Sequence, residues 1–82
     1  MAISVPDGFP EPSAEFRTWA AELKITGVRA GPPPRIMAGR SSYLPGETIN
    51  LSLEIVFEGY DDDRQTVRFR DKSGAALDRS IR

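Results

Sequence analysis

"INLSLEIVFE", residues 49–58, alternates Ile49, Leu51, Leu53, Ile55 and Phe57 with Asn50, Ser52, Glu54, Val56 and Glu58 without a break. A period of two predicts a β-strand with one buried and one mostly wet face, which favours antiparallel pairing over a parallel sheet covered on both sides. The run is long for one strand. It is expected either to bend across a small barrel or to be two strands meeting at a bulge.

Working outward towards the C-terminus, "GYDDDR" at 59–64 turns the chain, and alternation resumes with Val67 and Phe69 inward and Arg68 and Arg70 outward. Parity restricts this hairpin. A turn over 61–64 would set Phe57 against Arg68 and place a charge on the core face, so an odd loop or a bulge is required. A loop of Asp61 to Asp63 sets Phe57 against Val67, Ile55 against Phe69 and Glu54 against Arg70. In "DKSGA" a type I turn with left-handed Gly74 sets Phe69 opposite Leu77, and a last strand runs from Ala75 to about Arg79.

Towards the N-terminus, "RIMAGRSSYLPGE" carries two turn signals. Gly39-Arg40 at the centre of a type II′ hairpin pairs Ile36 with Tyr43 and Met37 with Ser42, whereas centring on Ala38-Gly39 pairs Ile36 with Ser41. The apolar pairing favours the first register. Leu44-Pro45-Gly46-Glu47 fits a type II turn, with proline fixing one φ and glycine supplying a positive one. Gly39 and Gly46 are where valine is expected to damage folding first. Pro32 to Pro34 form a stiff spacer, read as a crossover between strands in preference to a ligand for an aromatic groove. Before it, "LKITGV" sets Leu23, Ile25 and Gly27 against Lys24, Thr26 and Val28 in a first strand.

Ser13 offers an N-cap and Glu15 suits the first helical turn. Phe16, Trp19, Ala20 and Leu23 recur at helical spacing, which predicts a short helix over 13–22. So short a helix is marginal alone, so its stripe is expected to dock on the domain, with Trp19 kept among the candidate partner contacts. Residues 1–12, with Pro6, Gly8, Pro10 and Pro12, read as a flexible proline-rich lead-in. The expected architecture is a single, mainly β domain over 13–82, an antiparallel barrel or sandwich of five to six short strands with one N-terminal helix.

The 82 residues include no cysteine and no histidine. Packing and strand pairing must stabilise a small core without disulfides, and the commonest general base and metal ligand is missing. That excludes a Ser-His-Asp or Cys-His hydrolase and an ordinary zinc site. With 11 basic and 12 acidic residues the net charge of -1 argues against nucleic acid, and neither a signal peptide nor an apolar membrane span is visible. Asp61, Asp62 and Asp63 lack the spaced order of a calcium loop and read as a solvated hairpin tip. Ser41 or Ser42 with Lys24 or Lys72 as base lacks a strained nucleophile turn. The arginines at 35, 40, 64, 68 and 70 are diluted by acidic neighbours and read as paired surface charge. No catalytic residue, metal or cofactor is expected. Tyr43, Tyr60, Trp19, Arg68 and Arg70 are the candidate partner contacts, Gly39, Pro45, Gly46 and Gly74 the structural turns, and the open sheet edges sites where a partner's strand or a second copy could pair.

The order "LKITGV", "PRIMAGRSSYLPGETI" and a long alternating strand ending in "GYDDDRQTVRFRD" resembles a β domain of bacterial envelope machines. Examples are the periplasmic homology region of the inner-membrane clamp protein of type II secretion systems and the pilot-like lipoproteins of type IV pilus assembly. The shared pattern falls on Gly27, Val28, Gly39, Tyr43, Gly46, Glu47 and Ile49, with the aspartate turn before Val67, and spans residues 23–79. The triple proline is not part of it. The resemblance implies a non-catalytic scaffold domain that docks on another envelope component in the periplasm, tethered through its lead-in to an anchor. The competing expectations are a free-standing β binding module in the cytoplasm and, last, a histidine-free enzyme.

Overall fold

A computed structural model describes residues 3–81. In chain order the elements are β1 (Ile3–Ser4), α1 (Ala14–Glu22), β2 (Ile25–Arg29), β3 (Arg35–Ala38), β4 (Ser41–Tyr43), β5 (Thr48–Asn50), β6 (Ile55–Asp61), β7 (Thr66–Arg70) and β8 (Ala76–Ser80). The chain is mainly β, as expected, but the described strands number eight and lie in two antiparallel sheets rather than one closed barrel. The larger has the order β1-β8-β7-β6-β5 and the smaller β2-β3-β4. Pro45 and Gly46 form the corner between them: Glu47 N–H donates to Leu44 O at 3.1 Å with Gly46 at φ +93°, the expected type II turn. Gly46 N–H then donates to Phe57 O in the larger sheet at 2.8 Å. The two sheets therefore share a core, not a hydrogen-bonded seam.

The stretch 49–58 is corrected most. It is two strands and not one bent strand, but they are joined by a tight turn and fold back on each other, with a bulge between Thr48 and Asn50 in their pairing. Asn50 Oδ1 accepts Leu53 N–H at 2.9 Å, Leu51 O accepts Glu54 N–H at 3.3 Å, and Glu54 takes φ +54°. The asparagine side chain satisfies the backbone locally, so the chain folds back and Thr48 pairs with Val56. Leu51 is left 84% exposed while Ile55 and Phe57 are fully buried, although alternation assigned all three to one face.

The β3–β4 hairpin takes the expected register, Ile36 opposite Tyr43 and Met37 opposite Ser42 about Gly39-Arg40. Phe69 lies opposite Leu77, as expected, across the turn with Gly74 at φ +91°. Between β6 and β7 the parity conflict is resolved by a bulge between Phe57 and Gly59, not by a three-residue loop. Phe57 meets Phe69 and Tyr60 meets Val67, in place of the pairs derived for the shorter loop. In β2 a bulge between Ile25 and Gly27 brings Val28, which strict alternation groups with Lys24 and Thr26, against the core together with Ile25. The triple proline lies in the hairpin connection between β2 and β3, not in a crossover.

Helix α1 starts as its sequence demands, with Ser13 Oγ accepting Phe16 N–H at 3.1 Å. It buries Phe16 and Ala20, and Trp19 stands edge-on to Phe69 with ring centroids 5.1 Å apart. One cluster joins the helix, Ile36 of the small sheet, and Ile55, Phe57, Val67, Phe69 and Leu77 of the large one. Arg79 lies on the core face opposite Ile3, and its Nη1 donates to the Ala20 and Leu23 carbonyls at 2.7 and 2.6 Å. That guanidinium closes the open C-terminal end of the helix. Within the segment expected to be a flexible lead-in, Ile3 and Ser4 pair with Arg79 and Asp78 as the edge strand β1.

Candidate functional site

Strand parity puts Glu58, Arg68, Arg70 and Asp78 of the large sheet on the face away from the core, with Arg79 the exception on the core side. Arg68 lies opposite Asp78 and donates to both carboxylate oxygens, at 2.7 and 3.0 Å. Asp78 is buried, at 8% exposure, so this two-pronged pairing satisfies a charge that would otherwise be costly there. The hydrogen bonds that Arg68 donates to Asp78, ahead of the simple charge attraction between them, hold its guanidinium still more firmly protonated than an ordinary arginine. Stability from that effect is present below the ordinary arginine range and is lost only at more alkaline pH. Arg70 reaches Glu58 at 2.7 Å. Phe9 lies under both arginines, its ring centroid 5.6 Å from the guanidinium carbon of Arg68 and 5.0 Å from that of Arg70. A polar hollow of about 270 Å³ beside this row is lined by Glu58, Gly59, Tyr60, Asp61, Arg64 and Thr66, with Arg68 and Asp78.

Arg68 and Arg70 thus come together, already engaged by carboxylates and an aromatic ring, and Tyr60 lines the adjoining hollow while also packing against the core. Trp19 and Tyr43 lie elsewhere. Trp19 is half-buried and lines a shallow groove on the helix with Ala14, Glu15, Thr18 and Glu22, and Tyr43 packs on the core at the end of β4. The three aspartates serve the β6–β7 turn, where Asp61 Oδ1 accepts the N–H groups of Asp63 and Arg64 at 3.0 and 3.3 Å. Among the described residues no group of three or more His, Cys, Asp or Glu is placed to hold a metal ion. No helix in them is long and apolar enough to cross a membrane.

The small sheet is electrostatically different. From residue 23 to residue 46 the chain has Lys24, Arg29, Arg35 and Arg40 and no acidic residue, which gives this unit +4 and leaves -5 on the rest of the chain. All four side chains are exposed, and none forms an ion pair among the described residues. Arg29 and Arg35 stand directly opposite each other across β2 and β3, on the face away from Ile36 and Val28. Arg35 donates to Ser42 Oγ at 3.0 Å. Like charges directly opposed destabilise a strand pair, so this pair is a cost the isolated chain carries. The reading of the arginines as paired surface charge therefore holds for Arg64, Arg68 and Arg70 and fails for Arg35 and Arg40. Arg29 is not singled out by the sequence reading, and Lys24 enters it only as a candidate base for Ser41 or Ser42. The signal was the absence of any acid from 23 to 46, hidden when charge is totalled over the whole chain.

No family model, curated protein or solved structure matches the chain. The fold and its surfaces define a small antiparallel β domain of two sheets and one docked helix, with paired charge on one sheet and unpaired positive charge on the other.

Proposed function

We propose that the chain is a non-catalytic protein-binding domain, a scaffold piece of a bacterial envelope assembly of the secretion or pilus type, working on the periplasmic side. The observation that carries this reading is the form of the small sheet. Gly27, Val28, Gly39 and Tyr43 lie within the β2–β3–β4 unit, Gly46 and Glu47 form its exit turn, and each outer strand of that unit has a neighbour on one side only. A free strand edge offers backbone donors and acceptors to a partner without any catalytic group. The test is direct binding of the 82-residue chain to purified secretin-type and pilus-assembly components in low salt. Saturable binding to one of them is expected, and failure to bind any overturns the envelope assignment.

A further inference from the structure

We infer that the small sheet binds an acidic, extended segment of a partner protein along its β2 edge, with the partner's carboxylates meeting Lys24, Arg29 and Arg35. This rests on the reading of the chain as a protein-binding module. Three observations converge on it. The four cations between residues 23 and 46 are exposed, without an acidic neighbour in sequence and without an ion pair among the described residues. Arg29 directly opposes Arg35, a repulsion that an anion seated between them relieves. Strand β2, which carries Arg29 and follows directly on Lys24, is an edge strand.

The geometry also specifies the segment. Lys24 and Arg40 stand at one end of the sheet and Arg29 and Arg35 at the other, because Ile25 pairs with Ala38 and Arg29 with Arg35. Lys24 and Arg29 are five positions apart, and the bulge between Ile25 and Gly27 takes up one of them, which leaves a span of about 13 Å at the rise of a β-strand. A partner strand in register therefore places carboxylates four residues apart on its outer side, with alternate residues free to be apolar and to continue the face of Ile25 and Val28. A nucleic acid fits less well: it cannot use the strand edge, and beyond this short patch it meets the net -5 of the rest of the chain. The acidic Asp61 to Asp63 tip of a second copy is a tight turn and cannot lie along an edge as a strand.

The probe is a synthetic peptide of alternating glutamate and valine, titrated against the intact chain by fluorescence anisotropy at low and at physiological salt. Binding that weakens with salt is expected, with Arg29→Glu and Arg35→Glu each lowering affinity about tenfold. The Arg29→Glu variant keeps or raises its melting temperature, because an opposite-charge pair replaces the repulsion with Arg35, so its loss of binding is not a loss of fold. Arg64→Glu, a reversal in the β6–β7 turn away from the small sheet, leaves binding unchanged. Absence of peptide binding, or binding indifferent to Arg29→Glu and Arg35→Glu, overturns the proposal. So does tighter binding of an oligothymidylate of equal length, or a concentration-dependent dimer that Arg29→Glu dissolves. The two readings fail separately. If envelope components do not bind while the peptide shows the arginine dependence, the envelope assignment falls and the site stands. If an envelope component binds and the reversals do not affect it, the site falls.

Discussion

Gly31 shows why turn chemistry alone ranks glycines poorly. It takes φ +81°, and a Cβ built there runs into the backbone of Pro33 and Pro34. Gly39 and Gly46, where valine was expected to do the first damage, also have positive φ, but an added Cβ at either meets nothing within 4 Å. Gly46→Ala therefore carries only the left-handed penalty, about 1–2 kcal/mol. Gly31→Ala adds a clash with backbone that has no flexible end to move, so we expect a loss of about 2–4 kcal/mol. Urea midpoints at constant slope separate the two, and an equal loss would show that the proline loop yields. Arg79 is a second position where one side chain serves two elements. Arg79→Ala strips the Ala20 and Leu23 carbonyls of their donor and is expected to lower stability by about 2 kcal/mol in the same assay.

At the scale of elements, the β5–β6 hairpin gives the clearest contrast. If residues 49–58 were one strand, Leu51 and Ile55 would be equivalent core positions. In the observed hairpin Leu51→Ser is expected to change stability by less than about 0.5 kcal/mol, while Ile55→Ala costs about 2–4 kcal/mol. Equal losses in denaturant unfolding would restore the single strand. What was legible in the sequence follows the same division. Turns with a required backbone conformation fixed the registers about Gly39-Arg40 and Gly74, because glycine and proline restrict φ whatever surrounds them. Elements decided by side-chain capture of the backbone were not legible: Asn50 closes a turn inside an alternating run, and two bulges shift β2 and β6 by a residue. Of the candidate contacts, Arg68 and Arg70 were placed together by parity, but their partners Asp78, Glu58 and Phe9 come from β8, from the bulged strand and from the N-terminal segment. Only the fold brings these together.

At the scale of the whole molecule, the segment before the helix decides how much of the chain the folded unit contains. A free lead-in could be deleted without cost. Here Ile3 packs against the core, β1 pairs with β8, Phe9 lies over Arg68 and Arg70, and Pro10 approaches Gly74. Ala76 shares the outer face of the large sheet with those arginines and is fully buried. The segment thus passes from the sheet edge across its outer face before the helix returns over the inner one. Removing residues 1–9 leaves the Ser13 cap in place but takes away the partly buried side chains of Ile3 and Phe9 and uncovers the surface they pack on, for a loss of about 2–3 kcal/mol. In a domain of this size that corresponds to a fall in melting temperature of about 10 °C or more. Phe9→Ala alone is expected to give a smaller share of that fall, since β1 stays paired. A truncated chain that melts with the full one would show that residues 1–9 add no stability, and their contacts with Arg68, Arg70 and Arg79 would then be incidental to the fold.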